Sequence, residues 1–282
     1  MKIAFFEIEE WEKDYLRSRL AGHELLFYEG TLQDTKVFDF LDAHVLSVFV
    51  YSTITEENLR SLFKLKLIAT RSTGFDHIPI AECKTRDIIV CNVPQYGANT
   101  VAEHTFALLL NLTRKVHLCW DRTRMLNFSR EGLRGIDLQG KTIGVVGTGN
   151  IGKHVIRIAK GFEMNVIAFD AFPNKELATE LCFSYKSFDE LLKSSDVITF
   201  HCPYTKDTHH LINMKNISLL KKDAIIINTA RGGILDTEAL LFGLEQKTIG
   251  AIGLDVLEEE CEILEDTQLT SKKFPKTCDI RL

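Results

Sequence analysis

KTIGVVGTGNIGKHVIRIAKGF, residues 141–162, decides the architecture of the second half of the chain. Its first seven residues form an apolar run that predicts a strand, and its last ten repeat apolar residues at helical spacing. Between these elements stands Gly147-x-Gly149-x-x-Gly152. Glycines at these positions permit a tight turn, close approach of a ligand to the backbone, and close packing of helix against strand. The stretch therefore predicts a turn whose helix N-terminus binds phosphate groups.

An acidic residue follows at the position that a dinucleotide site requires. NVIAFD, residues 165–170, predicts the next strand, and Asp170 ends it, 18 residues after Gly152. A carboxylate there can accept hydrogen bonds from both ribose hydroxyls of NAD, and it would repel the extra phosphate of NADP. The next three residues include no arginine to bind that phosphate. We predict an NAD site here; the alternative is a glycine-rich turn with a helix-capping aspartate.

Strands and helices alternate on both sides of this unit. Upstream, short apolar runs predict the strands MKIAFF, HVLSVFVY, LKLIAT and DIIVCNV. Longer amphipathic runs predict the helices WEKDYLRSRL and TEENLRSLFK. Downstream, DVITFHCP, KDAIIINTA and TIGAIGLDV predict strands, and FDELLKS and TEALLFGLEQ predict helices. Near-continuous apolar strands separated by helices are typical of parallel sheets that are covered on both faces. The sequence therefore predicts two α/β units.

A long helix is predicted between the two units, over NTVAEHTFALLLNLTRKVHLC, residues 99–119. Its apolar positions recur at helical spacing for more than four turns. Asn99 or Thr100 can cap its start, and Glu103 lies in the first turn, where the helix dipole favours an acid. Two interpretations stay open: the helix packs between domains or between two copies of the chain, or it is a core helix of one domain.

Composition excludes several classes of protein. The 282 residues are 45% hydrophobic and 26% charged, which is enough apolar material for one large or two medium domains. A net charge of -5 argues against a nucleic-acid partner. The N-terminus soon turns acidic, unlike a secretory signal, and no apolar run has the length of a membrane span. Seven dispersed cysteines without a CxxC pair indicate reduced thiols in a cytoplasmic protein and no metal site.

Five segments, in this order, resemble the D-isomer-specific 2-hydroxyacid dehydrogenases. They are RSTGFDHI (71–78), NVPQYGANTVAEHT (92–105), GTGNIG (147–152), HCPYTKDTHHLI (201–212) with NTARGGILD (228–236), and GLDVLEEE (253–260). The resemblance covers nearly the whole chain, and NTARGG with DVLEEE is its most specific part. It implies an NAD-dependent enzyme, most similar to the D-lactate type, that interconverts a 2-keto acid and a D-2-hydroxy acid by hydride transfer.

The resemblance also implies a fold. It is an α/β fold of two doubly wound parallel-sheet domains, a flavodoxin-like substrate domain and a Rossmann NAD domain, with the active site in the cleft. Residues 1–98 are then the substrate domain without its C-terminal return segment. Residues 99–282 are the NAD domain, incomplete at its C-terminal end.

Substrate-binding and catalytic roles follow from the same resemblance. Arg231 is expected to bind the substrate carboxylate and polarise its carbonyl, which a guanidinium does with better geometry than an ammonium. Glu260 corresponds to the acid that hydrogen-bonds the catalytic histidine. Thr73 and Gly74 lie in a loop whose backbone N–H groups, with that of Ser72, can hold the carboxylate. Tyr96 stands where D-lactate-type members place a tyrosine beside the substrate.

The cofactor is expected to contact residues of five loops, with Asp255 near the nicotinamide ring. The predicted set is Gly147, Thr148, Gly149, Asn150, Ile151, Gly152, Asp170, His201, Cys202, Pro203, Thr208, Thr229, Ala230, Arg231 and Asp255. Structural alternatives stay open for several of these. Arg231 can be a bridge between domains, Asp255 a surface acid, and His201 a wall of the pocket and not a proton donor. Glu258 and Glu259 are expected to be solvated.

The proton donor of the family is a histidine downstream of the acid, and none occurs in the 22 residues after Glu260. We therefore expect the chain to bind NAD but to turn over keto acid poorly. The end at Leu282 is then artificial, or the chain is a non-catalytic relic. The alternative is an NAD-sensing binding protein similar to the C-terminal-binding-protein corepressors. The expected partners are a small keto or hydroxy acid and a second copy bound through residues 99–119, but no nucleic acid or membrane.

Overall fold

Two compact units make up the chain, Met1–Gly97 and a second that begins at Ala98. The structure is a computed structural model that describes residues 1–258. Each unit contains its own parallel sheet. Within the described residues no helix is both long and apolar enough to cross a membrane.

The first unit is a five-stranded parallel sheet with helices in the connections. Its strands are β1 (Lys2–Phe5), β2 (Glu24–Phe27), β3 (Val45–Val48), β4 (Leu67–Thr70) and β5 (Ile89–Cys91). Its helices are α1 (Glu10–Arg19), α2 (Glu56–Ser61) and α3 (Ile80–Thr85). The order β2-β1-β3-β4-β5 is that of flavodoxin-like doubly wound sheets. The predicted flavodoxin-like class is thus confirmed.

Both faces of this sheet are buried, as the apolar strands predict. In β1, Ile3 and Phe5 belong to one hydrophobic cluster. Ala4 on the same strand, with Phe6 just after it, belongs to another. Side chains of a strand point alternately to its two faces, so a strand that is apolar throughout needs cover on both.

The second unit is a six-stranded parallel sheet in the described residues. Its strands are β6 (Thr142–Val146), β7 (Asn165–Phe169), β8 (Ser184–Tyr185), β9 (Val197–Phe200), β10 (Ala224–Asn228) and β11 (Ile249–Leu254). Its helices are α4 (Ala98–Arg114), α5 (Val116–Arg124), α6 (Asn150–Gly161), α7 (Lys175–Glu180), α8 (Phe188–Ser194) and α9 (Thr237–Glu245). The order β11-β10-β9-β6-β7-β8 is the Rossmann order, so the predicted Rossmann class is confirmed.

The strand order reverses between β6 and β9, which are neighbours in the sheet. From β6 the chain continues outward in one direction through β7 and β8, and from β9 in the other through β10 and β11. Loops after the carboxyl ends of these two strands diverge at such a switch point, and ligands of open α/β sheets bind there. The glycine-rich turn follows β6, so the fold places it at this position.

The predicted helix over residues 99–119 is two helices. The chain leaves the helical conformation at Lys115, whose φ of 56° is left-handed, and α5 begins at the next residue. The start also differs, because α4 begins at Ala98, and Asn99 donates from Nδ2 to Oε1 of Glu103 at 2.5 Å. Buried residues of α4, among them Phe106, lie in the core of the second unit with α6 and β10. This favours the core-helix interpretation for α4.

Candidate cofactor and substrate site

The glycine-rich turn between β6 and α6 needs glycine for two separate physical reasons. Gly147 has a φ of 92°, which L side chains rarely adopt, and an added Cβ would lie 2.8 Å from the backbone of His201 and Cys202. At Gly152 an added Cβ would overlap the carbonyl oxygen of Gly147. The turn is therefore held tightly against both α6 and the loop after β9.

The N-terminus of α6 is open at the position where a pyrophosphate is expected. Gly149 is its N-cap, and a Cβ added there would meet nothing within 4 Å. The first N–H groups of a helix have no intrahelical acceptor and attract anions. Asn150 accepts from the ammonium of Lys153 at 3.1 Å, and Ile151 packs against the core. These residues fit a bound dinucleotide diphosphate, since backbone donors and free space coincide.

Asp170 follows β7 directly and accepts three hydrogen bonds. Its Oδ2 accepts from the backbone N–H of Thr148 at 2.6 Å and from the Thr148 hydroxyl at 2.8 Å. Its Oδ1 accepts from the N–H of Phe172 at 2.9 Å. The carboxylate is half-buried and held beside the glycine-rich turn. This is the position from which an acid reaches an adenosine ribose.

His201 and Cys202 follow β9, and both are uncharged at neutral pH. Burial lowers the pKa of His201 to about 3. Its Nε2 pairs with Thr199 Oγ1 at 2.8 Å, while no described residue partners its buried Nδ1. Burial raises the pKa of the Cys202 thiol to about 11, and the nearby charge of Asp170 adds to that rise. Burial therefore disfavours the imidazolium form of His201.

The rest of this loop is closed by the hydroxyl of Thr208. It donates to the carbonyl of Pro203 at 2.7 Å and accepts from the backbone N–H of Thr205 at 2.7 Å. The two predicted cofactor residues of the loop, Pro203 and Thr208, thus lie in one compact turn after β9.

The loop that carries Arg231 is organised by Asn228, a residue that sequence reasoning did not single out. Asn228 is buried at the end of β10; its amide donates to the carbonyl of Arg231 at 2.9 Å and accepts from the N–H of Ala230 at 3.0 Å. Thr229 is buried against Thr105 of α4, with 3.1 Å between their hydroxyls. Arg231 itself donates from Nη1 to the carbonyl of Ala230 at 2.7 Å.

The segment after β11 lies against the Arg231 loop. The N–H of Asp255 donates to the carbonyl of Asn228 at 3.0 Å. A Cβ added at Gly232 would overlap the backbone of Leu257 and Glu258, so this glycine permits the contact. Asp255 also pairs with His104 of α4, Oδ1 to Nε2 at 3.2 Å. Arg231, Asp255 and His104 are therefore brought to one region of the second unit.

The sequence led us to expect a solvated Glu258, but the structure places its side chain in contact with two other elements. Only 25% of its side chain is exposed, and Oε1 lies 2.5 Å from Nε2 of His210. Oε2 accepts from the N–H of Thr237 at 3.1 Å and from its hydroxyl at 2.7 Å. Burial opposes ionisation, but the bonds from Thr237 and His210 outweigh it and hold the pKa of Glu258 below its ordinary value. The predicted catalytic acid Glu260 lies outside the described residues.

In the first unit, the predicted carboxylate loop follows β4 and is tied to the chain after β5. The N–H of Val93 donates to the carbonyl of Ser72 at 3.0 Å, and the Thr73 hydroxyl donates to the carbonyl of Val93 at 2.9 Å. The Ser72 hydroxyl donates to the carbonyl of Gly74 at 2.6 Å. No described residue accepts from the backbone N–H groups of Thr73 and Gly74. These two donors are thus available to an anion.

Tyr96 lies in the loop between β5 and α4, three residues beyond Val93. Its side chain is 63% exposed. It lies at the carboxyl end of the sheet, because both the carboxylate loop and this loop follow carboxyl ends of neighbouring parallel strands.

Comparison with known proteins identifies the family to which these two units belong. Residues 106–277 match the family model of the D-isomer specific 2-hydroxyacid dehydrogenase, NAD binding domain. The chain belongs to this family of oxidoreductases, and its cofactor is NAD. The resemblance stated from the sequence is confirmed.

Individual relatives cover most of the chain. A 2-hydroxyacid dehydrogenase homolog of Haemophilus influenzae is 38% identical over 267 residues, which are 93% of this chain and 80% of that protein. The D-lactate dehydrogenase of Escherichia coli is 36% identical over 93% of this chain and 81% of its own length. A crystal structure of the D-lactate dehydrogenase of Aquifex aeolicus, complexed with NAD and lactic acid, has a TM-score of 0.89 at 39% identity. It covers 98% of this chain and 82% of that one.

Proposed function

We propose that the protein interconverts a small 2-keto acid and its D-2-hydroxy acid, with pyruvate and D-lactate as the preferred pair. The observation that carries the proposal is the common location of Arg231 and Asp255 at the carboxyl edge of the sheet that bears the glycine-rich turn. A guanidinium, an acid and a dinucleotide turn at one sheet edge suit reduction of an anionic carbonyl compound. The relatives named D-lactate dehydrogenase support the choice of substrate.

NAD is proposed to be held by the glycine-rich turn and Asp170. The N-terminus of α6 faces the diphosphate, and Asp170 accepts from the adenosine ribose, which favours NAD over NADP. The rest of the pocket is proposed to consist of residues from the loops after β9 and β10, namely His201, Cys202, Pro203, Thr208, Thr229 and Ala230. When bound, the nicotinamide ring supplies or accepts the hydride.

The chain's own residues are proposed to bind and polarise the substrate. Arg231 donates to the carboxylate and to the carbonyl oxygen, on which negative charge develops during reduction. The backbone N–H groups of Thr73 and Gly74, for which no residue among 1–258 is an acceptor, hold the carboxylate. Tyr96 occupies space beside the methyl group and favours a small keto acid. Asp255, whose N–H donates to the carbonyl of Asn228, is proposed to lie near the nicotinamide ring.

Protonation of the product oxygen needs a proton donor, which the family resemblance places downstream of Glu260. All nine histidines occur at or before His210. Burial lowers the pKa of His201 to about 3, which disfavours it as an imidazolium donor. A positioned general acid contributes on the order of 10²–10⁴ in rate. A form of the protein without a positioned donor should bind NAD but turn over keto acid slowly.

The test is a comparison of NADH oxidation by two purified proteins, the 282-residue chain and a version extended through the family's histidine. Pyruvate, glyoxylate and a branched keto acid are the substrates. The extended protein should prefer pyruvate, and Arg231→Lys in it should lower kcat strongly because lysine lacks the planar fork. Arg157→Lys, on an exposed arginine paired with Glu180, is the matched control. A preference for glyoxylate or the branched keto acid would refute pyruvate as the preferred substrate. Near-normal kinetics of Arg231→Lys would remove Arg231 from the site. Equal rates for both proteins would place the proton donor within the 282 residues.

A homodimer through residues 99–119 is also proposed, but α4 is largely used in the core of its own unit. The apolar surface lies on α5, where Val116 is 54% and Trp120 58% exposed. Burial of such residues against a second copy would remove apolar area from water. Sedimentation should give a dimer that Trp120→Glu weakens, and a monomer at all concentrations would refute the proposal.

A further inference from the structure

A chain of hydrogen bonds stands behind Asp170 and reaches the edge strand β8. The Thr148 hydroxyl lies 2.8 Å from Asp170 Oδ2 and 2.8 Å from the hydroxyl of Tyr185. The backbone N–H of Asn174 donates to the same tyrosine hydroxyl at 3.1 Å. Thr148 is buried and Tyr185 half-buried, so water competes little for these bonds.

The direction of every bond in this chain is determined by its two ends. An ionised carboxylate only accepts, so Thr148 spends its single hydroxyl proton on Asp170. The Thr148 oxygen must then accept from Tyr185, whose hydroxyl in turn accepts from the N–H of Asn174. The order is Asn174 N–H, Tyr185 O–H, Thr148 O–H, Asp170. Each donor in such a sequence polarises the next, which strengthens the final bond to the carboxylate.

These bonds leave Asp170 little freedom. A carboxylate offers roughly four acceptor positions. Both positions of Oδ2 are taken by Thr148, and one position of Oδ1 is taken by the N–H of Phe172. One acceptor position on Oδ1 therefore remains without a donor among the described residues. Rotation of the carboxylate would break the bonds from Thr148 and Phe172.

We infer that Thr148 and Tyr185 are positioning residues that determine how strongly the site distinguishes NAD from NADP. The inference rests on the proposed role of Asp170 at the ribose. A ribose hydroxyl donates to the remaining acceptor position of Oδ1. A phosphate in its place has no proton to donate when fully ionised, and it meets a carboxylate that cannot turn away.

Tyr185 is itself well anchored for this role. In the sheet it pairs with Ala168, two residues before Asp170. The N–H of the next residue, Lys186, donates to the carbonyl of Ala168 at 2.8 Å. The ring of Tyr185 packs edge-on against Phe183, with 5.1 Å between the ring centres. The hydroxyl is thus fixed by the backbone of β8 and by ring packing and not only by Thr148.

The experiment measures dissociation constants of NADH and NADPH by fluorescence titration of the full 282-residue chain. Tyr185→Phe removes only the hydroxyl that holds Thr148. We expect the ratio of the NADPH to the NADH dissociation constant to fall about fivefold, the effect of one net hydrogen bond. Thr148→Ala should lower the ratio further, because it also removes a bond to Asp170. Thr148→Ser keeps the hydroxyl and should restore the ratio.

The control is Tyr28→Phe, which removes the hydroxyl of a tyrosine in the first unit and should leave the ratio unchanged. Thermal unfolding establishes that each variant is folded, and if Tyr185→Phe is unfolded, the threonine pair decides alone. A ratio that Tyr185→Phe and Thr148→Ala leave unchanged overturns the inference. So does an equal loss of both affinities, which indicates a merely structural role. Equal affinity of the unmodified chain for both cofactors would instead refute the proposed role of Asp170.

Discussion

Asp170 and Glu258 are two half-buried carboxylates in loops after strands of the same sheet, and each accepts three hydrogen bonds from protein groups. They differ in where the donors come from. The donors to Asp170 are uncharged groups of two adjacent loops, and one acceptor position of its Oδ1 has no donor in the part of the chain that the structure describes. The donors to Glu258 are Thr237 at the start of α9 and His210 from the loop after β9.

Under the proposed function, this difference separates an acid that recognises a ligand from an acid that joins segments of the chain. Asp170 is oriented by its neighbours so that it can accept from something outside the protein. Glu258 connects the segment after β11 to two other elements, and that segment bears Asp255 three residues earlier. The number of donors does not distinguish the two roles, whereas the remaining acceptor position and the location of the donors do.

The largest expected effect is on cofactor choice. Asp170→Ala should reduce the preference for NADH over NADPH by roughly 10- to 100-fold, because hydrogen bonds to charged groups contribute about 1.5–3 kcal/mol. The measurement is titration of both cofactors, with the exposed Asp189→Ala as control. Stability should change less than cofactor choice. An unchanged preference would place Asp170 in the same category as Glu258.

Glu258→Ala should lower the stability of the fold and leave the cofactor preference unchanged. It leaves the N–H and hydroxyl of Thr237 without their acceptor, which costs about 1–3 kcal/mol when a donor is buried. The free energy of unfolding in urea measures the loss, and the exposed Glu245→Ala at the end of α9 is the control. The ratio of NADH to NADPH affinity should remain as in the unmodified chain. A changed ratio of the two cofactor affinities with an unchanged free energy of unfolding would contradict the role of Glu258 in joining segments of the chain.

A smaller effect is expected from acid. The pKa of Glu258 is lower in the folded chain than its ordinary value of 4.5, so the folded state binds fewer protons near that pH. The stability that this carboxylate contributes is present above pH 4.5 and is lost as pH falls through the folded pKa. The difference in unfolding free energy between Glu258→Gln and the unmodified chain should therefore shrink below pH 4.5. A difference that stays constant down to pH 3 would show that ionisation of Glu258 is not what stabilises the segment.

Spacing along the chain predicts Asp170 but not Glu258. Strand, glycines, helix, strand and acid all lie within 30 residues of one another, so local pattern is sufficient. Glu258 is the first of three consecutive glutamates, and its partner His210 is 48 residues away. Nothing local distinguishes a glutamate that meets such a partner from one that meets water. Tyr185 was missed for the same reason, since Thr148 is 37 residues away.

The fold class was predictable because apolar strands and amphipathic helices alternate, whereas short or edge elements were not. β8 has two residues, and β2 lies at the edge of its sheet with no fully buried residue, so neither forms a strong apolar pattern. The break at Lys115 has no glycine or proline to announce it. Lys115 adopts a left-handed φ, which is uncommon for a residue other than glycine, because the folded structure around it requires the turn.

The smallest expected effect concerns the charge of Asp170 itself. Cys202 has a pKa raised to about 11, chiefly by burial, with a further rise from Asp170. Removal of that charge by Asp170→Asn should lower the pKa of Cys202 and increase its rate of alkylation at pH 9, because the thiolate is the reactive form. Burial remains, so the increase should be modest. Cys91, exposed in the first unit, is the internal reference whose rate should not change. If Cys202 reacts at the same rate in both proteins, the carboxylate does not influence the loop after β9. The same change at Glu258 should leave Cys202 unaffected, because the charge of Asp170, and not that of Glu258, raises the pKa of this thiol.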